Sequence, residues 1–358
     1  ATGLVIFIES NITLLVAGSV SRPLFDRYKI SREKLAYLID ATSAPVCAMI
    51  PLNAWGAVII GLLATTNIKN PLQTFIASIP YNFYAIAAII LAAVVIWKNI
   101  NIGPMKTAEK RTKDGDIFWP NATPMIDVSE VITTGSSAEQ PSATLMVLPI
   151  IMMIATMPIG LYVTGNGNII EGSGSISVLW AVICALIVSW CMNLRSGRQS
   201  IDQLMALFMK GASSLLPIAT ILLFALALGD IARELGTGIY VAGLVGEAIP
   251  ESLITPLVFL VSAFIAFSVG SSWGTFAIMI PIAIPIAMTL GLPAPLMLGA
   301  AISGAIFGDH ASPISDTTVV ASMASATDHI DHVRTQLPYA LIAAAIAAIG
   351  FFTTGLFI

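Results

Sequence analysis

Long apolar runs separated by short polar breaks govern what this chain can fold into. They cover about 3–20, 35–63, 72–97, 144–164, 174–192, 213–229, 236–249, 253–269, 272–290, 293–307, 312–325 and 336–358. Only 10% of the 358 residues are charged, 57% are hydrophobic and mean hydropathy is +0.90, whereas soluble domains carry about a quarter charged residues. Hydrocarbon offers no partner to a backbone N–H or C=O, so a chain that crosses it repeatedly without closing a barrel must do so as helices. The fold class expected is an all-α polytopic membrane protein, with the lipid bilayer as its first partner. At about 20 residues per crossing there is room for roughly nine or ten segments. The shorter runs cannot cross alone and are expected as broken or re-entrant helices. The net charge of −4 forms no basic stripe, which excludes nucleic acid as a partner. Cys47, Cys184 and Cys191 lie in apolar runs without metal-ligand spacing and are expected as buried small hydrophobes.

Basic residues sort the loops. Arg22, Arg27, Lys29, Arg32 and Lys34 cluster between the first two runs, Lys98, Lys106, Lys110, Arg111 and Lys113 follow the third, and Arg195, Arg198 and Lys210 follow the fifth. Such loops stay on the cytoplasmic side, and the expected location is a bacterial inner membrane. Residues 99–143 are polar and rich in turn formers; they are expected to form a cytoplasmic connector with solvated charges between 1–98 and 144–358. These flanking parts share an internal repeat. Asp40-Ala-Thr-Ser-Ala-Pro45 answers Asp309-His-Ala-Ser-Pro313, and IPYNFYAIAAIILAA from Ile79 answers LPYALIAAAIAAIG from Leu337. Two repeat-related halves are expected, inverted as in many transporters, with about a hundred residues missing ahead of the first copy. A homodimer is compatible with this layout.

Five acids fall in apolar surroundings: Glu9, Asp40, Asp230, Asp309 and Asp316. A charge in hydrocarbon costs at least about 2.5 kcal/mol, so acids placed there usually face a cavity and bind or move something. Asp230, in GDIARELGTG beside Arg233 and Glu234, reads instead as a helix end. Asp40 and Asp309 each stand beside hydroxyls and a proline, which frees backbone carbonyls. Carboxylate, hydroxyl and carbonyl oxygens together suit a hard cation such as Na+. If 312–325 were one continuous helix, Ser312, Ser315, Asp316 and Val319 would share a face, with Thr317 beside them. His310 is either a proton relay or a hydrogen-bonding filler. Between apolar runs, Gly270-Ser-Ser-Trp-Gly-Thr275 is a poor helix interior and is expected to be unwound, placing Ser271, Ser272, Trp273 and Thr275 on a cavity. Glu9 and Asn11 mark a polar break near the start of the chain. Asp309, His310 and Ser312 are too close in sequence to form a hydrolase relay, and the chain carries no HExxH, GxSxG, P-loop or GxGxxG string. A transporter rather than an enzyme is expected, driven by an ion gradient.

Three strings in order, SRPLFDRYKISREKLAYLIDATSAPV at 21–46, GSSWGTFAIMIPIAIP at 270–285 and GDHASPISDTT at 308–318, resemble the NhaC-type sodium/proton antiporter family over nearly the whole chain. The resemblance implies secondary transport without a resident cofactor, chiefly expulsion of Na+ in exchange for H+. Related members look like carriers of hydroxy acids or amino acids coupled to the same ions, so a small carboxylate or amino acid is the alternative substrate. A channel or a non-transporting scaffold is a more distant alternative. The expected mechanism is competition of Na+ and H+ for midplane carboxylates. Asp40, Asp309 and Asp316 act as Na+ ligands, and Thr42, Ser43, Ser272, Thr275 and Ser312 supply oxygens.

Overall fold

A computed structural model of the chain describes residues 10–51, 53–124, 144–168, 172–197, 199–236 and 249–358, with residues 240 and 243. The helices in chain order are α1 (Ser10–Arg27), α2 (Arg32–Asp40), α3 (Ala44–Cys47), α4 (Ala54–Ala64), α5 (Pro71–Ser78), α6 (Phe83–Lys98), α7 (Pro104–Asp114) and α8 (Thr144–Thr164). They continue with α9 (Gly174–Arg195), α10 (Ile201–Glu234), α11 (Glu251–Val269), α12 (Ser272–Leu290), α13 (Ala294–Ala311), α14 (Asp316–Ser325) and α15 (His329–Gly355). Among the described residues there is no strand, only one isolated bridge between Pro124 and Asp328.

The apolar runs become helices, and the polar residues in front of them become caps that accept unpaired first-turn N–H groups. Asn53 caps α4, Ser271 caps α12, Ser315 caps α14 and Asp328 caps α15. Asp328 also takes the Thr123 N–H and hydroxyl, at 2.9 and 3.0 Å. Partial burial raises its pKa, but the hydrogen bonds from Thr123, Asp331 and Ile330 outweigh this and bring it below the usual value. The hold of this cap is therefore present at neutral pH and is lost as pH falls through that lowered value.

Four described helical stretches, Val147–Thr164, Glu251–Val269, Ser272–Leu290 and His329–Gly355, are long and apolar enough to cross a bilayer. A fifth span is the pair Pro71–Tyr81 and Phe83–Lys98, bent by 46° at Asn82. Among the described residues, shorter apolar helices such as α4 accompany these four or five spans, where nine or ten segments were expected. Outward-facing positions of the spans carry large apolar side chains, among them Phe264, Leu341, Ile346 and Ile349. The same outward face explains the cysteines: Cys47 is buried as expected, but Cys191 is exposed and Cys184 half-buried, because α9 turns apolar residues away from protein.

The connector differs from the solvated stretch expected. Its helix α7 docks through buried charges: Arg111 pairs with Glu33 at 2.8 Å, and Lys34 stands 3.7 Å from Glu109. Glu109 also accepts the Ser31 hydroxyl and backbone N–H, each at 2.8 Å. Charges in this low-water corner need fixed partners, which a sequence-level count of loop charges does not reveal.

Helix α13 is the axis of the fold. Nearly every residue from Leu296 to Ala311 is buried, against α11, α12, α15, α5 and α6. Gly304 and Gly308 permit this. A Cβ on Gly304 would meet the Phe259 carbonyl, and one on Gly308 the Ala263 carbonyl and the Ala266 methyl. Small residues four apart let two membrane helices approach backbone to backbone. Gly308→Leu is expected to lower the unfolding temperature in detergent sharply, since overpacking costs about 1–3 kcal/mol or more. Gly61→Ala, where an added Cβ meets nothing within 4 Å, should change little in the same thermal scan.

Helices α6 and α15, which carry the repeated Pro-Tyr strings, pack side by side, Phe83 on Phe351 at a centroid distance of 4.8 Å. Their local structures differ: Pro80 lies in a 3₁₀ turn that ends at the bend, whereas Pro338 lies inside continuous α15.

Candidate functional site

The two acidic breaks converge. Asp40 is the last residue of α2 and Asp309 lies in the last turn of α13; both are 1% exposed. Ser272, at the start of α12, donates to Asp309 Oδ2 at 2.6 Å, and Ser315, the cap of α14, donates to Oδ1 at 2.6 Å. Thr317 Oγ1 lies 3.0 Å from the Ser315 hydroxyl. The Ser315 hydrogen is committed to Asp309, so Thr317 is the donor of that contact. The carboxylate therefore sits among hydroxyl oxygens contributed by two chain segments, the starts of α12 and α14.

Asp40 has different neighbours. Gln336 Nε2 donates to its Oδ2 at 2.8 Å and to the His310 carbonyl at 2.7 Å. His310 Nε2 and His332 Nε2 each lie 4.0 Å from the same oxygen. Three nitrogen atoms and the Thr318 hydroxyl face this acid, where the Ser272 and Ser315 hydroxyls hold Asp309. On its other side His310 shares a 2.6 Å hydrogen bond with the Tyr84 hydroxyl through Nδ1.

Other expected site residues are placed elsewhere. The Thr42, Ser43, Thr275 and Ser312 hydroxyls donate to the carbonyls of Leu38, Asp40, Ser271 and Phe267 at 2.7, 3.0, 2.9 and 2.8 Å. Broken helices strand carbonyls, and nearby hydroxyls satisfy them. Only Gly270, with φ +69°, and extended Ser271 interrupt the α11–α12 run; helix resumes at Ser272 rather than staying unwound to Thr275. Ser271 Oγ accepts the Gly274 N–H at 3.3 Å as a cap. Trp273 turns to Trp55, with ring centroids 5.1 Å apart. No continuous helix runs from Ser312, since α14 begins at Asp316, and the expected face of Ser312, Ser315, Asp316 and Val319 does not form. Half-buried Asp316 accepts the Thr317 N–H at 2.9 Å. Asn11 lies in the first turn of α1, which packs on α14. Glu9 lies outside the described residues, as does the side chain of Asp230, whose backbone is in α10.

The model of the Na+/H+ antiporter family matches residues 57–356. The chain belongs to this family. It is 34% identical to an uncharacterized protein of Haemophilus influenzae over 98% of its own length and 69% of the relative's. It is 38% identical to the malate-2H(+)/Na(+)-lactate antiporter of Bacillus subtilis, over 48% of this chain and 37% of that one. A similar solved structure is the YdaH transporter of Alcanivorax borkumensis, with a TM-score of 0.46 at 13% identity, covering 98% of this chain and 85% of that one.

In this antiporter-family chain the structure adds residues that the sequence reading passed over: Tyr84, Ser322, His329, His332 and Gln336. A signal was present for three of them. His329, His332 and Gln336 are spaced by three and four residues and so share one face of a helix. Tyr84 and Ser322 are contributed by other helices, and nothing in their local sequence marks them.

Proposed function

We propose that the chain is a secondary active antiporter that exchanges Na+ for H+ across a bacterial inner membrane, with Na+ at Asp309 and the proton at Asp40. The observation that carries this is the Asp309 carboxylate held between the Ser272 and Ser315 hydroxyls. Hard cations prefer such oxygens, and the nitrogen-lined Asp40 suits a proton. The two acids are close enough for their charges to act on each other, so the pocket favours one bound cation over none. Gln336 ties Asp40 to the carbonyl of His310, the neighbour of Asp309, so a proton gained at Asp40 alters the Na+ site. Residues 1–98 and 144–358, as repeat-related halves, would move against each other to alternate access.

The test is transport by purified protein in sealed vesicles. A proton gradient should drive saturable uptake of radioactive sodium with matching proton efflux and no organic solute present. The name of the Bacillus subtilis relative favours a second reading, coupled exchange of small hydroxy acids. Sodium movement that appears only when malate or lactate is supplied would select that reading.

A further inference from the structure

All three histidines of the chain lie in one line of contacts with Asp40, and two of them meet at a single hydroxyl. Ser322 Oγ lies 3.0 Å from His329 Nδ1, 2.9 Å from His332 Nδ1 and 2.8 Å from the Thr318 carbonyl. The hydrogen count at this point does not close. His329 Nε2 faces the Pro313 carbonyl at 2.6 Å, and a carbonyl only accepts, so Nε2 carries the hydrogen. His332 Nε2 faces Gln336 Oε1 at 2.8 Å. The orientation of that amide is fixed, because its other end meets the Asp40 carboxylate and the His310 carbonyl, both acceptors. Hence His332 also carries its hydrogen on Nε2. In the neutral rings both Nδ1 atoms are then acceptors, and with the Thr318 carbonyl they make three acceptors around one hydroxyl hydrogen. One extra proton, on either Nδ1, turns an empty contact into a hydrogen bond.

We propose that His329, Ser322 and His332 form a proton-loading site that supplies Asp40 from the membrane side carrying the basic loops. This deepens the antiport reading above by assigning the route of its proton. His329 is half-buried at the start of α15, beside the Asp328 cap that binds Thr123 of the connector, while His332 has no exposed surface. The site thus runs from the protein's edge to its interior. A proton from water on His329 Nδ1 makes that ring an imidazolium. It passes when His329 gives the hydrogen to Ser322 Oγ and Ser322 gives its own to His332 Nδ1, leaving His329 neutral and His332 charged. The His332 Nε2 hydrogen, bonded to Gln336 Oε1 at 2.8 Å, must leave that amide and close the 4.0 Å gap to Asp40 Oδ2 before it is handed over, which leaves a neutral acid and a neutral ring protonated on Nδ1. The starting tautomer returns when the Nδ1 hydrogen is exchanged for one at Nε2 through water admitted as access alternates. Facing the pair are Asp40 from α2 and His310 from α13, with Asp309, Asp316 and Tyr84 behind them and Asp328 and Asp331 at the same helix end.

The deciding measurement is NMR of protein carrying isotope-labelled histidine in lipid nanodiscs, with His310→Gln used to assign the third ring. Across a pH titration the two rings, His329 and His332, should take up one proton between them with a common midpoint. Ser322→Ala should split that midpoint. Independent titration of the two rings, no titration, or a shared midpoint untouched by Ser322→Ala would each overturn the proposal, whatever ion the protein carries. In vesicles Ser322→Ala should slow exchange driven by a pH gradient by about tenfold or more, and sodium-for-sodium exchange at equal pH should be unchanged. Loss of both activities together would instead mark Ser322 as structural and also count against the relay.

Discussion

Asp309→Asn is expected to abolish saturable sodium movement while leaving a folded, inserted protein. The carboxamide keeps the shape of the side chain but removes the charge and turns one oxygen into a donor. That donor faces a hydroxyl already oriented to donate, either Ser272 or Ser315. Rotation of the hydroxyl relieves the clash, so the variant should elute from gel filtration like the parent. The ion has no such remedy. A cation enclosed without its anion loses a charge-assisted interaction of a few kcal/mol, and each 1.4 kcal/mol is tenfold, so affinity should fall by about 100-fold or more. Ser272→Ala and Ser315→Ala should each weaken sodium uptake less, by about ten- to a hundredfold, as expected for one hydrogen bond to a charged group. Undiminished uptake by Asp309→Asn would remove Asp309 from the site and the antiport reading with it.

The breaks themselves were legible because they are local chemistry. An acid, hydroxyls and a proline inside an apolar run cannot continue a helix, and α2 and α13 do end within two residues of Asp40 and Asp309. Their convergence was suggested by the repeated strings, and the structure brings them together through Gln336. Less legible was the duty of each hydroxyl. Ser272 and Ser315 reach the carboxylate, whereas Thr42, Ser43, Thr275 and Ser312 satisfy carbonyls. The choice depends on which carbonyls each break strands, a three-dimensional fact. The His329 side of the network was missed because it begins at a helix start that reads as an ordinary polar turn, HIDHVRTQ. The Tyr84–His310 contact joins residues 226 apart in sequence, and no spacing rule spans that distance. The connector was misjudged for the same reason, since the partners of Arg111 and Glu109 are on α2.

A second large effect separates the two acids. Asp40→Asn should retain its contact with Gln336, because the amide oxygen still accepts the Nε2 hydrogen that Asp40 Oδ2 accepts at 2.8 Å. It removes the carboxylate that receives the proton in that pocket. With Asp309 and its hydroxyls intact, sodium-for-sodium exchange at equal pH should stay within about threefold of the parent, a change of less than one hydrogen bond's worth. Exchange driven by a pH gradient should disappear, and its dependence on external pH should flatten, because nothing at the end of the His332 path can receive a proton. If both ions competed at Asp309 alone, Asp40→Asn would leave proton-driven uptake and its pH profile intact. That outcome would collapse the two-acid scheme into a single shared site. The opposite failure, loss of sodium-for-sodium exchange as well, would place Asp40 among the sodium ligands. Because Asp40 and Asp309 are held on different helices and Gln336 with the His310 backbone joins them, the scheme predicts partial uncoupling in Gln336→Leu. Sodium exchange and proton exchange should each persist there, with a ratio that drifts with pH.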